Sequence, residues 1–170
     1  MRLFVAALLA VTSCGAEEDA VFGWKLRAHA GGEYDREEVF AIASSTAGAA
    51  ALWLGDDAAR TFVGSELLVQ FDGEALPLDA AGLYYVGSNY IRVNTAAFTC
   101  LAYGALAHEL VHHLESLIGN VVDGTHQQPP FWGMDSISVD AHRSSVAMVC
   151  PPAENALAAL PTEPSCVLMR

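Results

Sequence analysis

Between Ala107 and Ser116 the chain reads AHELVHHLES, which places three of its six histidines and two glutamates within ten positions of an otherwise apolar run. His108, Glu109 and His112 form a His-Glu-x-x-His pattern. On a helix, residues four apart share one face about one turn apart. Two imidazoles so placed can converge on one ion at about 2.0–2.1 Å per zinc–nitrogen bond. Glu109 is displaced around the helix from His108, so it can reach a metal-bound water without being a ligand. Zinc lowers the pKa of such a water to about 7, and Glu109 as general base would take its proton and deliver it to a leaving amine. The same letters arise by chance and on solvated helix faces. Here they sit in an apolar helix, where unpaired polar groups are costly to bury, and that context favours a metal site.

Two histidines leave an open zinc site one protein ligand short. Glu115 is a poor candidate, lying about 10 Å along the axis from His108; it is expected to face solvent or to support the site from outside the ligand set. His126 is better placed. The helix runs on about 10 Å from His112 to Gly119, and the seven residues from there to His126 span up to about 23 Å. Gly119-Asn120 and Asp123-Gly124 supply the turns. The expected ligands are His108, His112 and His126, with water completing a tetrahedral Zn2+ site. Asp123, Asp135, Asp140 and His142 stand in reserve, and Asp135 and Asp140 are also candidate acceptors for ligand imidazole N–H groups. His113 points off the ligand face, as a surface or packing residue. Phe131 and Trp132 are expected to pack rather than to wall a pocket. Tyr84, Tyr85, Tyr90 and Tyr103 are possible oxyanion donors among which nothing selects, and His29 looks incidental.

The elements that must position these groups are readable in outline. The stretch from Asp35 to Phe62 opens on Asp35 as N-cap, with Glu37 and Glu38 in the first turn and apolar residues at helical spacing. Ser44, Ser45, Thr46 and Gly48 weaken it, so it reads as one helix or two shorter ones. Glu66–Phe71 reads as a strand and Gly82–Asn94 as a hairpin around Gly87-Ser88-Asn89. The helix of the motif follows and stops at Gly119-Asn120. A Gly- and Pro-containing loop leads to a final helix beginning near Ser138. No internal repeat is visible.

A hairpin followed by a helix with this motif resembles the zincin metallopeptidases. ALAHELVHHLE is similar to their active-site helix, and NYIRVN to the edge strand that lies across their cleft; the likeness covers roughly Gly82 to Trp132. It implies a small α+β zincin-like domain, a mixed or antiparallel sheet with an edge hairpin packed on the active-site helix, zinc as cofactor, and hydrolysis of a peptide or protein held against the edge strand. The chain departs from the longer family patterns. Glu115 and Ile118 occupy the Gly and His positions of the metzincin extension, and SVDAHRSSV offers no gluzincin glutamate. A non-catalytic zinc-binding or structural envelope lipoprotein is the alternative, and a cell-envelope amidase with the same zinc chemistry a third.

The 170 residues suffice for one domain with a core. Eight Lys and Arg against 20 Asp and Glu, with no basic cluster, argue against nucleic acid as partner. Arg2, an apolar run from Leu3 to Val11 and Val11-Thr12-Ser13-Cys14 resemble a bacterial lipoprotein signal, the run being far short of the roughly 20 residues of a membrane-spanning helix. That resemblance implies acylation at Cys14 and an envelope location by N-terminal lipid, with plain secretion after Ala16 as the other reading. Three cysteines remain, Cys100, Cys150 and Cys166, of which two can pair in an exported protein. The expected division is a signal over 1–13, a tether over 14–24, the zincin-like domain over 25–150 and a Pro-rich tail over 151–170.

Overall fold

The computed structural model describes residues 19–96, 99–119 and 122–149. The signal segment, Cys14 and the C-terminal tail lie outside the described residues, as do the side chains of Cys100, Cys150 and Cys166. The chain order is β1 (Asp19–Val21), β2 (Trp24–His29), α1 (Arg36–Leu54), α2 (Asp56–Val63), β3 (Leu68–Asp72), β4 (Gly82–Tyr85), β5 (Tyr90–Asn94), α3 (Thr99–Leu117) and α4 (Ile137–Val149), with a short 3₁₀ turn at Pro77–Asp79. The architecture is α+β with a mixed sheet in the order β1-β2-β3-β5-β4. β2, β3 and β5 run parallel; β1 and β4 pair antiparallel at the two edges.

Alternation along the strands sends one side of the sheet into the core. Trp24, Leu26, Val69, Phe71, Ile91 and Val93 are buried there against Val39 and Ile42 of α1, Phe62 of α2 and Leu106 and Leu110 of α3. α4 packs across α1 and α3, and Trp53 donates to Asp140 Oδ2 at 2.7 Å to tie α1 to α4. The opposite side of the sheet is polar. Its centre is Asp72, which accepts from Arg92 Nε at 2.9 Å and Gln70 Nε2 at 2.8 Å and meets His29 Nδ1 at 2.7 Å. Burial works against that charge, but these partners outweigh it and hold Asp72 below the usual carboxylate range. His29, expected to be incidental, is part of this network.

The expected elements are present, with four corrections. The stretch from Asp35 does form two helices, yet the break falls at Gly55, and Ser44, Ser45, Thr46 and Gly48 all stay inside α1. Thr46 is accommodated because its hydroxyl donates to the Ile42 carbonyl at 3.0 Å. The expected tether over 14–24 contains β1, which pairs with β2 in the register Asp19↔Leu26, and the domain therefore begins before residue 25. The strand expected at Glu66–Phe71 is shifted to Leu68–Asp72. NYIRVN is not the edge strand: β5 lies between β3 and β4, and β4 forms the edge. A hairpin leaves two strands as candidates for the outer position, and only the parallel pairing of β5 with β3 decides between them.

Asp35 caps α1 as expected, its carboxylate accepting from Glu37 N at 2.8 Å and Glu38 N at 3.1 Å. Asp35→Ala should cost about 1 kcal/mol, a fall in melting temperature of about 2–4 °C for a domain of this size. A melt unchanged within error would remove the cap from the stability of the fold.

Candidate metal centre

α3 carries the site because its apolar residues bury it along most of its length, Ala102, Leu106, Leu110, Val111 and Leu114 all facing the core. At about 100° per residue, Gly104, His108, His112 and Glu115 fall on one stripe of that helix, and Glu109 lies about 100° around from it. Gly104 faces α4: a Cβ there would lie 2.9 Å from His142 Cε1. Glu109, 1% exposed, faces β4 instead. A Cβ on Gly82 would come within 2.8 Å of both its Cγ and its Oε1, so the glycine lets the edge strand lie directly on the glutamate.

After α3 the chain returns and delivers His126 to the stripe. Its Nε2 lies 3.2 Å from His108 Nε2 and 3.0 Å from His112 Nε2. A tetrahedral ion with bonds of about 2.0–2.1 Å would separate its ligand nitrogens by about 3.3–3.4 Å, close to what is found. Among the described residues this is the group of histidine, cysteine and acidic side chains whose donor atoms converge in a metal-ligand arrangement. Asp123, Asp135, Asp140 and His142 are not part of it.

Burial, first of all, lowers the pKa of each of the three. His108 lies well below the ordinary imidazole value, with His112, His126 and His142 adding to the effect. Glu115 and Asp123 oppose the shift at His112, and His126 is lowered by burial and by His112. The three rings are therefore neutral at pH 7, the state in which imidazole offers a lone pair to a metal.

The turn that presents His126 is built by Asp123. Its carboxylate accepts from Thr125 N at 2.8 Å and Thr125 Oγ1 at 2.6 Å, and from Gln127 N at 2.8 Å and Gln128 N at 2.9 Å. Burial opposes the charge on Asp123, but these donors outweigh it and hold the group far below the usual carboxylate range. Within that turn His126 has φ 56°, a left-handed conformation that a non-glycine residue keeps only when its surroundings impose it.

Trp132 lies against all three rings, its centroid 4.8 Å from His108 and 4.5 Å from both His112 and His126. At 2% exposure it closes the inner side of the cluster. Packing was the expected role for Trp132; what it packs on is the site itself, and nothing in the local sequence marks that. Glu115 is buried, not solvent-facing, and accepts from Trp132 Nε1 at 3.2 Å and Asp123 N at 3.1 Å. Tyr84 lies with its ring parallel to His112 at 6.4 Å. Tyr103 instead accepts from Asp35 N, and Tyr90 donates to Gln70 on the polar side of the sheet. Asp135 is exposed and Asp140 is taken by Trp53, so neither stands behind a ligand.

His113 is buried on the far side of α3, where it meets Ser65 Oγ at 2.9 Å. Ser65 already donates to the Phe62 carbonyl at 2.7 Å, so the shared proton belongs to His113 Nε2. Burial pushes His113 down to about 4.

Comparison of the chain with protein-family models, curated proteins and solved structures finds no significant match. The site stands on its own geometry. Alanine at His108, His112 or His126 should each lower bound zinc sharply after dialysis, read by metal analysis. His113→Ala should destabilise the fold and leave zinc stoichiometry unchanged. Wild-type zinc binding by His126→Ala would move the third ligand elsewhere.

Proposed function

We propose that the protein is a zinc-dependent metallopeptidase in which His108, His112 and His126 hold the metal and Glu109 is the general base. One observation carries this reading: the Nε2 atoms of His108 and His112 lie within 3.2 Å of His126 Nε2 while a buried glutamate, next in sequence to His108, is pressed between the helix and the edge strand. Without a cation the cluster is hard to satisfy. A single N–H from His126 serves one neighbour, and the other lone pair faces it in a largely desolvated setting. A divalent ion accepts all three.

Zinc so bound supplies Lewis acidity, bringing the pKa of water at the site to about 7 and polarising a carbonyl. The chain supplies the rest. Glu109 accepts a proton from the attacking water and returns it to the amine that leaves. Gly82 keeps the β4 backbone against Glu109, so an extended substrate paired to the edge of β4 that no described strand covers would pass the base at short range. Trp132 keeps water from the inner side of the ligands. The zincin likeness supports the same assignment, with β4 taking the part expected of NYIRVN. Export and a lipid anchor at Cys14 belong to the proposal on the sequence alone; no helix among the described residues is long and apolar enough to cross a membrane.

Glu109→Gln should lower peptide hydrolysis by about 10²–10⁴-fold while zinc content stays at the wild-type level. Unchanged turnover would take Glu109 out of the chemistry. Zinc-loaded wild type that cleaves nothing in a diverse peptide library would favour a non-catalytic zinc protein. For the anchor, labelled palmitate should enter the wild type and not Cys14→Ser; equal labelling removes acylation at Cys14.

A further inference from the structure

We propose that Glu115 is the positioning residue of the metal centre: a single carboxylate oxygen joins the helix ligand His112, the loop that carries His126 and the indole of Trp132, and its negative charge raises affinity for a divalent cation. The proposal rests on the metal reading above.

Oε2 of Glu115 accepts from Asp123 N at 3.1 Å and from Trp132 Nε1 at 3.2 Å, and lies 3.6 Å from His112 Nδ1. The residue is 2% exposed. A buried carboxylate is costly unless it is hydrogen-bonded and its charge compensated. Two neutral donors give the first and only part of the second. A divalent ion on the far side of the His112 ring gives the rest. If His112 offers its Nε2 lone pair to a metal, its proton sits on Nδ1 and faces Glu115. Metal ligation makes that proton a better donor, which draws the 3.6 Å contact shorter.

The same oxygen reaches the third ligand through the backbone. It fixes Asp123 N, and the Asp123 carboxylate then gathers Thr125, Gln127 and Gln128 into the turn that holds His126 at φ 56°. It also holds the indole that lies on all three rings. The neighbouring carboxylates do not substitute for it. Asp123 is saturated by donors from its own turn, Asp140 is bound to Trp53, and Glu109 points toward β4.

The test titrates zinc and Co2+ against a competing chelator in wild type, Glu115→Gln and Glu115→Ala, with thermal melts of the metal-free forms. Glutamine keeps the size and an acceptor oxygen, so metal-free Glu115→Gln should melt near wild type. Its zinc affinity should fall by about 10–100-fold and its Co2+ absorption bands should shift; alanine should lose at least as much affinity. Zinc affinity of Glu115→Gln within twofold of wild type, with an unchanged Co2+ spectrum, overturns the role of Glu115 and leaves the metal site standing. Failure of the wild type to bind either ion overturns both. If neither variant folds, nitrogen-15 spectra of the zinc-loaded wild type decide: a slowly exchanging, hydrogen-bonded Nδ1–H on His112 is expected, and its absence sinks the proposal.

Discussion

Three imidazoles whose Nε2 atoms gather at one point are the constraint on which the rest of this structure depends. Such an arrangement is unfavourable in a protein interior unless something electropositive occupies the point. The surroundings are organised to hold it nonetheless. α3 is anchored by its core face, so His108 and His112 cannot turn away. Asp123 spends four hydrogen bonds on one short turn, and His126 stays in a left-handed conformation as a result. A glycine or asparagine adopts the same φ at lower cost, so the hydrogen bonds of the turn are what hold a histidine there.

The sheet contributes by setting what lies beside the helix. Three parallel strands fix the interior of the sheet, and β4 is added antiparallel at the edge nearest α3. Its first residue, Gly82, has no side chain to hold the strand off, so backbone and Glu109 carboxylate come into contact. Gly104 does the corresponding thing on the other side, admitting His142 from α4. α3 is thus approached closely by an edge strand on one side and by a helix on another, each at a glycine.

How much of this was legible follows from the range of the interactions involved. The His-Glu-x-x-His spacing is local, and helix geometry alone placed His108 and His112 together. Asp35 as a cap is equally local. His126 was reachable by chain length plus a ligand count, a constraint of topology rather than of pattern. What escaped was long-range. β5 became an interior strand only because β3 pairs with it, and the paired positions are 22 residues apart in the sequence, in the register Gln70↔Arg92. Residues 19–21 look like an acidic linker, and they are a strand because β2 offers an edge. Trp132 gives no local sign that it will touch three histidines. Gly48 weakens the helical pattern locally, but α1 runs through it because tertiary packing outweighs a propensity cost of about 1 kcal/mol.

Two buried glutamates on one helix illustrate how environment divides roles among identical side chains. Glu109 and Glu115 are 1% and 2% exposed, and six residues turn them about 240° apart around the axis. That angle sends Glu109 toward the edge strand, off the stripe of His108 and His112. It leaves Glu115 on the stripe, two turns beyond His108 and beside the outward nitrogen of His112. There the donors around it come from Asp123 and Trp132, groups that are fixed in the folded chain and exchange nothing with a substrate. A carboxylate held by fixed donors is suited to holding geometry; the other lies against the backbone of the edge strand instead. The helical phase of each residue, set by the sequence, decides which neighbours it meets.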